Sequence, residues 1–123
     1  MLALLDRDLP RRAALAAALR AAGLSVTEAL DADEALVSSS LTVLLAPDRA
    51  QPGALRGVVA RLRSVVPGRQ VLAVTVHSPD HQIEREVLAT AQAAGCDGCL
   101  VYAHPAEVVA VLRACVLGGL SCG

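Results

Sequence analysis

Residues 41–48 read LTVLLAPD, and this stretch decides the fold. It is an apolar run that follows a serine cluster and stops at Pro47 and Asp48. Such a run, bounded by turn residues, is typical of a central strand that is buried on both faces of a parallel sheet. In an open α/β sheet the functional site lies at the carboxyl ends of the strands. We therefore expect a site near Ala46, Pro47 and Asp48.

Strands and helices alternate along the rest of the chain. Further short apolar runs predict strands at residues 2–5, 24–29, 71–76 and 98–102. Capping residues and stop signals predict helices at residues 11–22, 31–37, 55–66 and 79–94, and a last one from Pro105. This alternation requires right-handed crossovers and a parallel sheet with helices on both faces. We predict a five-stranded α/β domain with the flavodoxin-like strand order 2-1-3-4-5.

Length and composition limit the organisation of the chain. With 123 residues we expect one domain over residues 1–117, followed by a flexible tail or the start of a linker at 118–123. Met1 leads into neither a signal sequence nor an apolar run of membrane-spanning length, which predicts a cytoplasmic protein with no membrane partner. The formal net charge of −1 has no basic cluster, so we expect no direct contact with nucleic acid.

Several pieces of the sequence resemble the receiver domains of two-component response regulators. The pieces are LLDRDLPRR at the first strand, LTVLLAPD at the third, VLAVT at the fourth, and AAGCDGCLV with PAEVVAVLRA at the end. Their order and spacing extend the resemblance over nearly the whole chain. The last two pieces are closest to receivers that precede a DNA-binding domain of the LuxR/NarL type.

The resemblance implies a site at the carboxyl ends of the strands. Receivers of this family accept a phosphoryl group on an aspartate after the third strand, and use an acidic pair for Mg²⁺, a hydroxyl and a lysine. By resemblance, Asp6 and Arg7 take the places of the acidic pair. Thr75 takes the place of the hydroxyl residue. Tyr102 takes the place of the lysine, and the chain contains no lysine at all.

The position of the phosphate acceptor has two assignments. The strand pattern places Ala46 there, whereas counting back from residues 52–53 places Asp48 there. Asp8 either compensates for the missing acid or caps the following helix, and Arg7 is expected to neutralise Asp6. Weak Mg²⁺ binding is the only cofactor use that such a site leaves open.

The resemblance therefore implies an atypical receiver that keeps the fold and lacks the phosphoryl chemistry. We expect a non-enzymatic regulatory domain that forms homodimers and controls a LuxR-type DNA-binding effector, attached or separate. Two alternatives stay open. The crevice could sense a small-molecule ligand, or Asp48 could accept phosphate.

The last helix is the expected dimer surface, because its apolar residues exceed one core-facing stripe. The alternative is that a small alanine-rich protein simply has apolar helices. The candidate interface residues are Val108, Val109, Val111, Leu112, Cys115 and Val116.

Three further features have a structural and a functional interpretation. His77 and His104 follow the last two strands and could reach a shared transition-metal site, but loop histidines are usually solvated. Cys96 and Cys99 have CxxC spacing, yet they precede the last strand, which favours structural thiols. Tyr102 could fill the crevice and bond to Thr75 or Asp6, or it could face solvent.

Overall fold

The computed structural model describes residues 2–30, 42–47, 53–66 and 68–118, with the backbone alone at 114–118. The strands are β1 (Leu2–Leu5), β2 (Val26–Ala29), β3 (Thr42–Leu45), β4 (Gln70–Val76) and β5 (Gly98–Tyr102). The helices in the described part are α1 (Leu9–Ala21), α2 (Ala54–Val65), α3 (His81–Ala94) and α4 (Pro105–Gly118). The helix predicted at 31–37 lies outside the described residues.

The strands form one parallel sheet in the order β2-β1-β3-β4-β5, which confirms the predicted architecture. In this sheet Leu5 is the register partner of both Ala29 and Leu45. The residues that follow β1 and β3, Asp6 and Ala46, therefore lie side by side. Of the helices that the structure describes, none has the length and apolar character needed to cross a membrane.

Each face of the sheet carries its own apolar cluster. Helices α1 and α4 cover the face that holds Leu4, Leu44 and Leu72, whereas the alternate residues of the same strands face α2 and α3. We call the first cluster the α1/α4 cluster and the second the α2/α3 cluster. Both are aliphatic apart from Tyr102, because the chain contains no Phe or Trp. This two-sided burial explains why the strands read as uninterrupted apolar runs.

Local signals set the described helix ends within about two residues of the predicted positions. The carboxylate of Asp8 accepts a hydrogen bond from the Arg11 N–H, so Asp8 is the N-cap of α1. Gly95 ends α3 with a φ of 89°, a conformation that favours glycine. The predicted start of β2 at Leu24 was two residues early, since the Leu24 N–H bonds back to the Leu19 carbonyl of α1.

The last helix differs from its predicted role. Val108 and Leu112 are each 1% exposed and belong to the α1/α4 cluster, so they are core residues and not interface residues. The helix needs this apolar stripe to pack on both the sheet and α1. Val109 is half-buried against the same cluster, and Val111 is 36% exposed. The side chains of Cys115 and Val116 lie outside the described residues.

Candidate functional site

The carboxyl ends of the strands bring most of the predicted site residues together. Asp6 follows β1 and Ala46 follows β3. Thr75 is the second-last residue of β4, and Tyr102 is the last residue of β5. The Ala46 N–H donates to the Leu5 carbonyl at 3.0 Å, which extends the β1–β3 pairing to this edge. Asp48 lies outside the described residues.

Asp6 is a buried carboxylate that forms an ion pair with the guanidinium of Arg11. Its side chain is 4% exposed, and both of its oxygens are engaged. Arg11 donates from Nε to Oδ2 and from Nη2 to Oδ1, each at 2.7 Å, and the Asp8 N–H donates to Oδ1 at 2.9 Å. This bidentate arrangement is the geometry in which an arginine and a carboxylate bind most strongly. The hydrogen bonding that Arg11 donates to Asp6 raises the pKa of Arg11, which keeps the guanidinium charged.

The partner of Asp6 is thus Arg11, whereas the sequence pattern predicted Arg7 in this role. Arg7 is exposed on the loop between β1 and α1. Helical side chains point back toward the N-terminus of their helix, so an arginine in the first turn of α1 can reach the end of β1. A second arginine of the same turn, Arg12, donates from Nη1 to the Asp6 carbonyl at 3.0 Å and from Nε to Glu28 at 3.3 Å.

Asp8 acts as a capping residue. Its side chain caps α1, and its backbone N–H donates to Asp6. Of the two predicted roles, replacing the missing acid or capping the helix, the structure shows the cap. Asp8 itself is exposed.

Tyr102 fills the place that the resemblance gives to a lysine. It is 5% exposed and packs in the α1/α4 cluster, where Ala46 is a half-buried neighbour. Burial raises the pKa of its hydroxyl, and the charges of Arg11 and Asp6 act on it in opposite directions. Tyr102 was predicted either to fill the crevice or to face solvent, and the structure shows it buried.

Thr75 is on the other face of the sheet. Its register partner is Val101, whereas Tyr102 pairs with Val76, and successive side chains alternate between faces. Thr75 is 9% exposed, on the α2/α3 side. The predicted hydrogen bond between Tyr102 and Thr75 therefore does not fit this sheet.

The loop after β4 is held by a carboxylate of α3. Glu84 accepts hydrogen bonds from the Ser78 N–H at 2.9 Å and from Nδ1 of His77. The bond from Ser78 is the main reason why the pKa of Glu84 is lowered. His104 precedes α4, and its carbonyl accepts a hydrogen bond from the Glu107 N–H. Within the described residues, no three His, Cys, Asp or Glu side chains are grouped so that they could hold a metal ion.

Cys96 and Cys99 are half-buried free thiols against the α2/α3 cluster. Burial raises the pKa of Cys96 to about 11 and also raises the pKa of Cys99. Reactive catalytic thiols have lowered pKa values instead. Their placement agrees with the structural interpretation of the CxxC pair.

The strand order is that of the flavodoxin-like fold, which CheY also has. The side chains at this edge of the sheet limit its chemistry. A guanidinium neutralises the acidic position, a methyl group stands at the end of β3, and a buried phenol ends β5. The chain contains no lysine, and the positive charge next to Asp6 comes from Arg11, whose guanidinium is already paired with that carboxylate.

Comparison with known proteins gives structural neighbours of the same fold. No protein-family model and no curated sequence matches the chain. The receiver domain of NtrX from Brucella abortus is similar with a TM-score of 0.71 and 17% identity, over 98% of this chain and 100% of that one. The CheY-like protein TadZ from Pseudomonas aeruginosa PAO1 gives 0.70 and 18%, over 91% and 95%.

A third neighbour is a putative CpaE2 pilus assembly protein from Sinorhizobium meliloti 1021, with a TM-score of 0.63 and 21% identity, over 93% of this chain and 98% of that one. The TM-scores show a shared fold, and at these identities the likeness extends to the fold alone. The predicted fold class is therefore confirmed, and the function rests on the residues of the site.

Proposed function

We propose that this chain is a phosphorylation-independent receiver, a non-enzymatic regulatory domain whose state does not depend on a phosphoryl group. The observation that carries the proposal is the bidentate contact of Arg11 with Asp6, at 2.7 Å for both hydrogen bonds. A carboxylate engaged in this way has little capacity left for Mg²⁺, which needs several oxygen ligands.

The other site residues support the same conclusion. Ala46 offers no nucleophile at the position where the strand pattern places the acceptor. Tyr102 is packed in the core and carries no positive charge to bind a phosphoryl oxygen. A receiver built in this way is fixed in one state, and its signal must come from a partner or from its concentration.

The regulatory output remains part of the proposal. We infer that the domain forms homodimers in the cytoplasm and controls an effector, with a LuxR-type DNA-binding domain as the leading choice from the sequence resemblance. One structural neighbour is described as a putative pilus assembly protein, so an effector outside transcription is the second choice.

Phosphate incorporation tests the proposal. The purified chain is incubated with acetyl phosphate and Mg²⁺ and its intact mass is followed, with Asp48→Asn as the matched variant. We expect no phosphate adduct on either protein. An adduct on the parent that disappears in Asp48→Asn would show a working acceptor, and the proposal would then be wrong.

A further inference from the structure

The hydroxyl of Tyr102 opens on solvent at the carboxyl edge of the sheet. In the part of the chain that the structure describes, no hydrogen bond reaches this hydroxyl, although every fully buried side-chain oxygen and nitrogen there has a partner. The hydroxyl must therefore belong to the 5% of Tyr102 that is exposed. The ring is packed in the core, and the hydroxyl is available to a ligand.

Arg11 has a second donor edge that Asp6 does not use. A guanidinium carries five N–H donors, and Asp6 accepts from Nε and from one N–H of Nη2. The other N–H of Nη2 and both of Nη1 form the end of the fork, and none of the described residues accepts from them. The Arg11 side chain is 40% exposed. Arg11 can therefore bind a second carboxylate at this end while it holds Asp6 at its side.

These two groups of donors lie on the same side of the sheet. Tyr102 belongs to the α1/α4 cluster, and Arg11 is in the first turn of α1. Burial raises the pKa of the Tyr102 hydroxyl and the charge of Arg11 opposes that rise, so the two side chains are within electrostatic range. Helices α1 and α4 both begin at this edge, and the positive ends of their dipoles favour an anion there.

Apolar side chains accompany the donors at the same edge. Val76 is the register partner of Tyr102 and is 39% exposed. It shares the face of Val74, which belongs to the α1/α4 cluster. Leu9, the first residue of α1, is 59% exposed, and Ala46 is half-buried against the cluster. Apolar walls around a few placed polar groups are typical of small-molecule sites.

We propose that this edge binds a small organic carboxylate with a short aliphatic body. The carboxylate accepts hydrogen bonds from the free end of Arg11 and from the Tyr102 hydroxyl. The aliphatic body packs on Leu9, Ala46 and Val76. Inorganic phosphate would leave these apolar side chains in water, so the surface favours a ligand with a hydrocarbon part. The proposal rests on the proposed function, because it names the partner that supplies the signal when no phosphoryl group does.

Tyrosine emission reports on this site directly, because Tyr102 is the one tyrosine of the chain and there is no tryptophan. The probes are hexanoate, hexanol and inorganic phosphate at constant ionic strength. We expect a saturable change in emission with hexanoate, at a dissociation constant of about 1 mM, and binding about tenfold weaker for each of the other two probes. No saturable change with hexanoate would overturn the proposal. Equal binding of hexanol or of phosphate would also overturn it, since one half of the site would then contribute nothing.

Two variants locate the bound hexanoate. Tyr102→Phe removes the hydroxyl alone, and Arg11→Lys keeps a positive charge without the second donor edge. Because Tyr102→Phe lacks the emitting group, binding to all variants is followed by ¹⁵N HSQC shifts. We expect each variant to weaken hexanoate binding about tenfold, and the control Arg85→Lys on α3 to bind like the parent.

Circular dichroism checks that the variants are folded, and Tyr102→Phe decides if Arg11→Lys is not. Binding to Tyr102→Phe as tight as to the parent would overturn the proposal, because the hydroxyl would then not contact the ligand. Failure of the hexanoate tests leaves phosphorylation independence standing. Conversely, a phosphate adduct that depends on Asp48 would refute the proposed function even if hexanoate binds.

Discussion

Removal of the Arg11 guanidinium is the perturbation that the structure makes most informative. Arg11→Ala leaves Asp6 with a side chain that is 4% exposed and takes away two of its charged hydrogen bonds. A charge-assisted hydrogen bond contributes about 1.5–3 kcal/mol, and an unpaired buried carboxylate adds a desolvation cost. Arg11 is itself 40% exposed, so solvent screening reduces the effect.

The structure sets the expected size of this effect. The Asp8 N–H still binds Asp6 in the variant. We therefore expect the free energy of unfolding to fall by about 2 kcal/mol, and by about half as much for Arg11→Lys, which keeps the charge and loses the bidentate geometry. In urea unfolding followed by circular dichroism at neutral pH, about 2 kcal/mol corresponds to a midpoint shift of about 1 M.

The matched control is Arg85→Ala. Arg85 is an exposed arginine of α3, and its hydrogen bond to the His81 carbonyl is 3.5 Å long. This control should change the free energy of unfolding by less than about 0.5 kcal/mol. If Arg11→Ala were no more destabilising than Arg85→Ala, the ion pair would contribute nothing measurable, and the account of a site held by an internal cation would fail.

Three further predictions concern the core, a thiol and the loop after β4. Leu112→Ala should lower the free energy of unfolding by about 3 kcal/mol because Leu112 is in the core, whereas Val111→Ala should change it by less than about 0.5 kcal/mol; equal effects in urea unfolding would contradict this placement. Burial raises the pKa of Cys96 to about 11. In a variant that keeps Cys96 as its one cysteine, alkylation at pH 8 should be roughly 100-fold slower than that of an exposed thiol, and the rate should increase up to pH 11. A rate that levels off by pH 9 would refute this. Glu84 has a lowered pKa, so it stabilises the fold above its ordinary pKa of about 4.3, and the stability lost in Glu84→Gln should shrink as pH falls through the lowered value; a loss that stays constant from about pH 7 to pH 3 would argue against it.

The fold could be predicted because its signals are local. Gly95 and Asp8 fix helix ends through their own backbone conformation and side chain, and the apolar run of β3 reports burial on both faces. Once strands and helices alternate, few topologies remain.

The site could be predicted only in part, since it depends on packing across the sheet. The sequence places Asp6, Ala46 and Tyr102 at one edge, but the choice of Arg11 over Arg7 depends on where α1 starts and how its first turn is oriented. Similarly, the apolar residues of α4 looked like an excess because the sequence does not show that α4 packs on α1 as well as on the sheet. Val108 and Leu112 serve that second contact.

The central claim is that the site does not respond to phosphorylation, and a ¹⁵N HSQC titration with Mg²⁺ and beryllofluoride tests it most directly. Beryllofluoride mimics an acyl phosphate on aspartate, so a working acceptor would change the signals around it. We predict a spectrum that stays unchanged for Asp6, Thr75 and Tyr102 at saturating beryllofluoride. Shifts at Asp48, Thr75 and Tyr102 that saturate together would contradict the account and show a functioning phosphorylation switch.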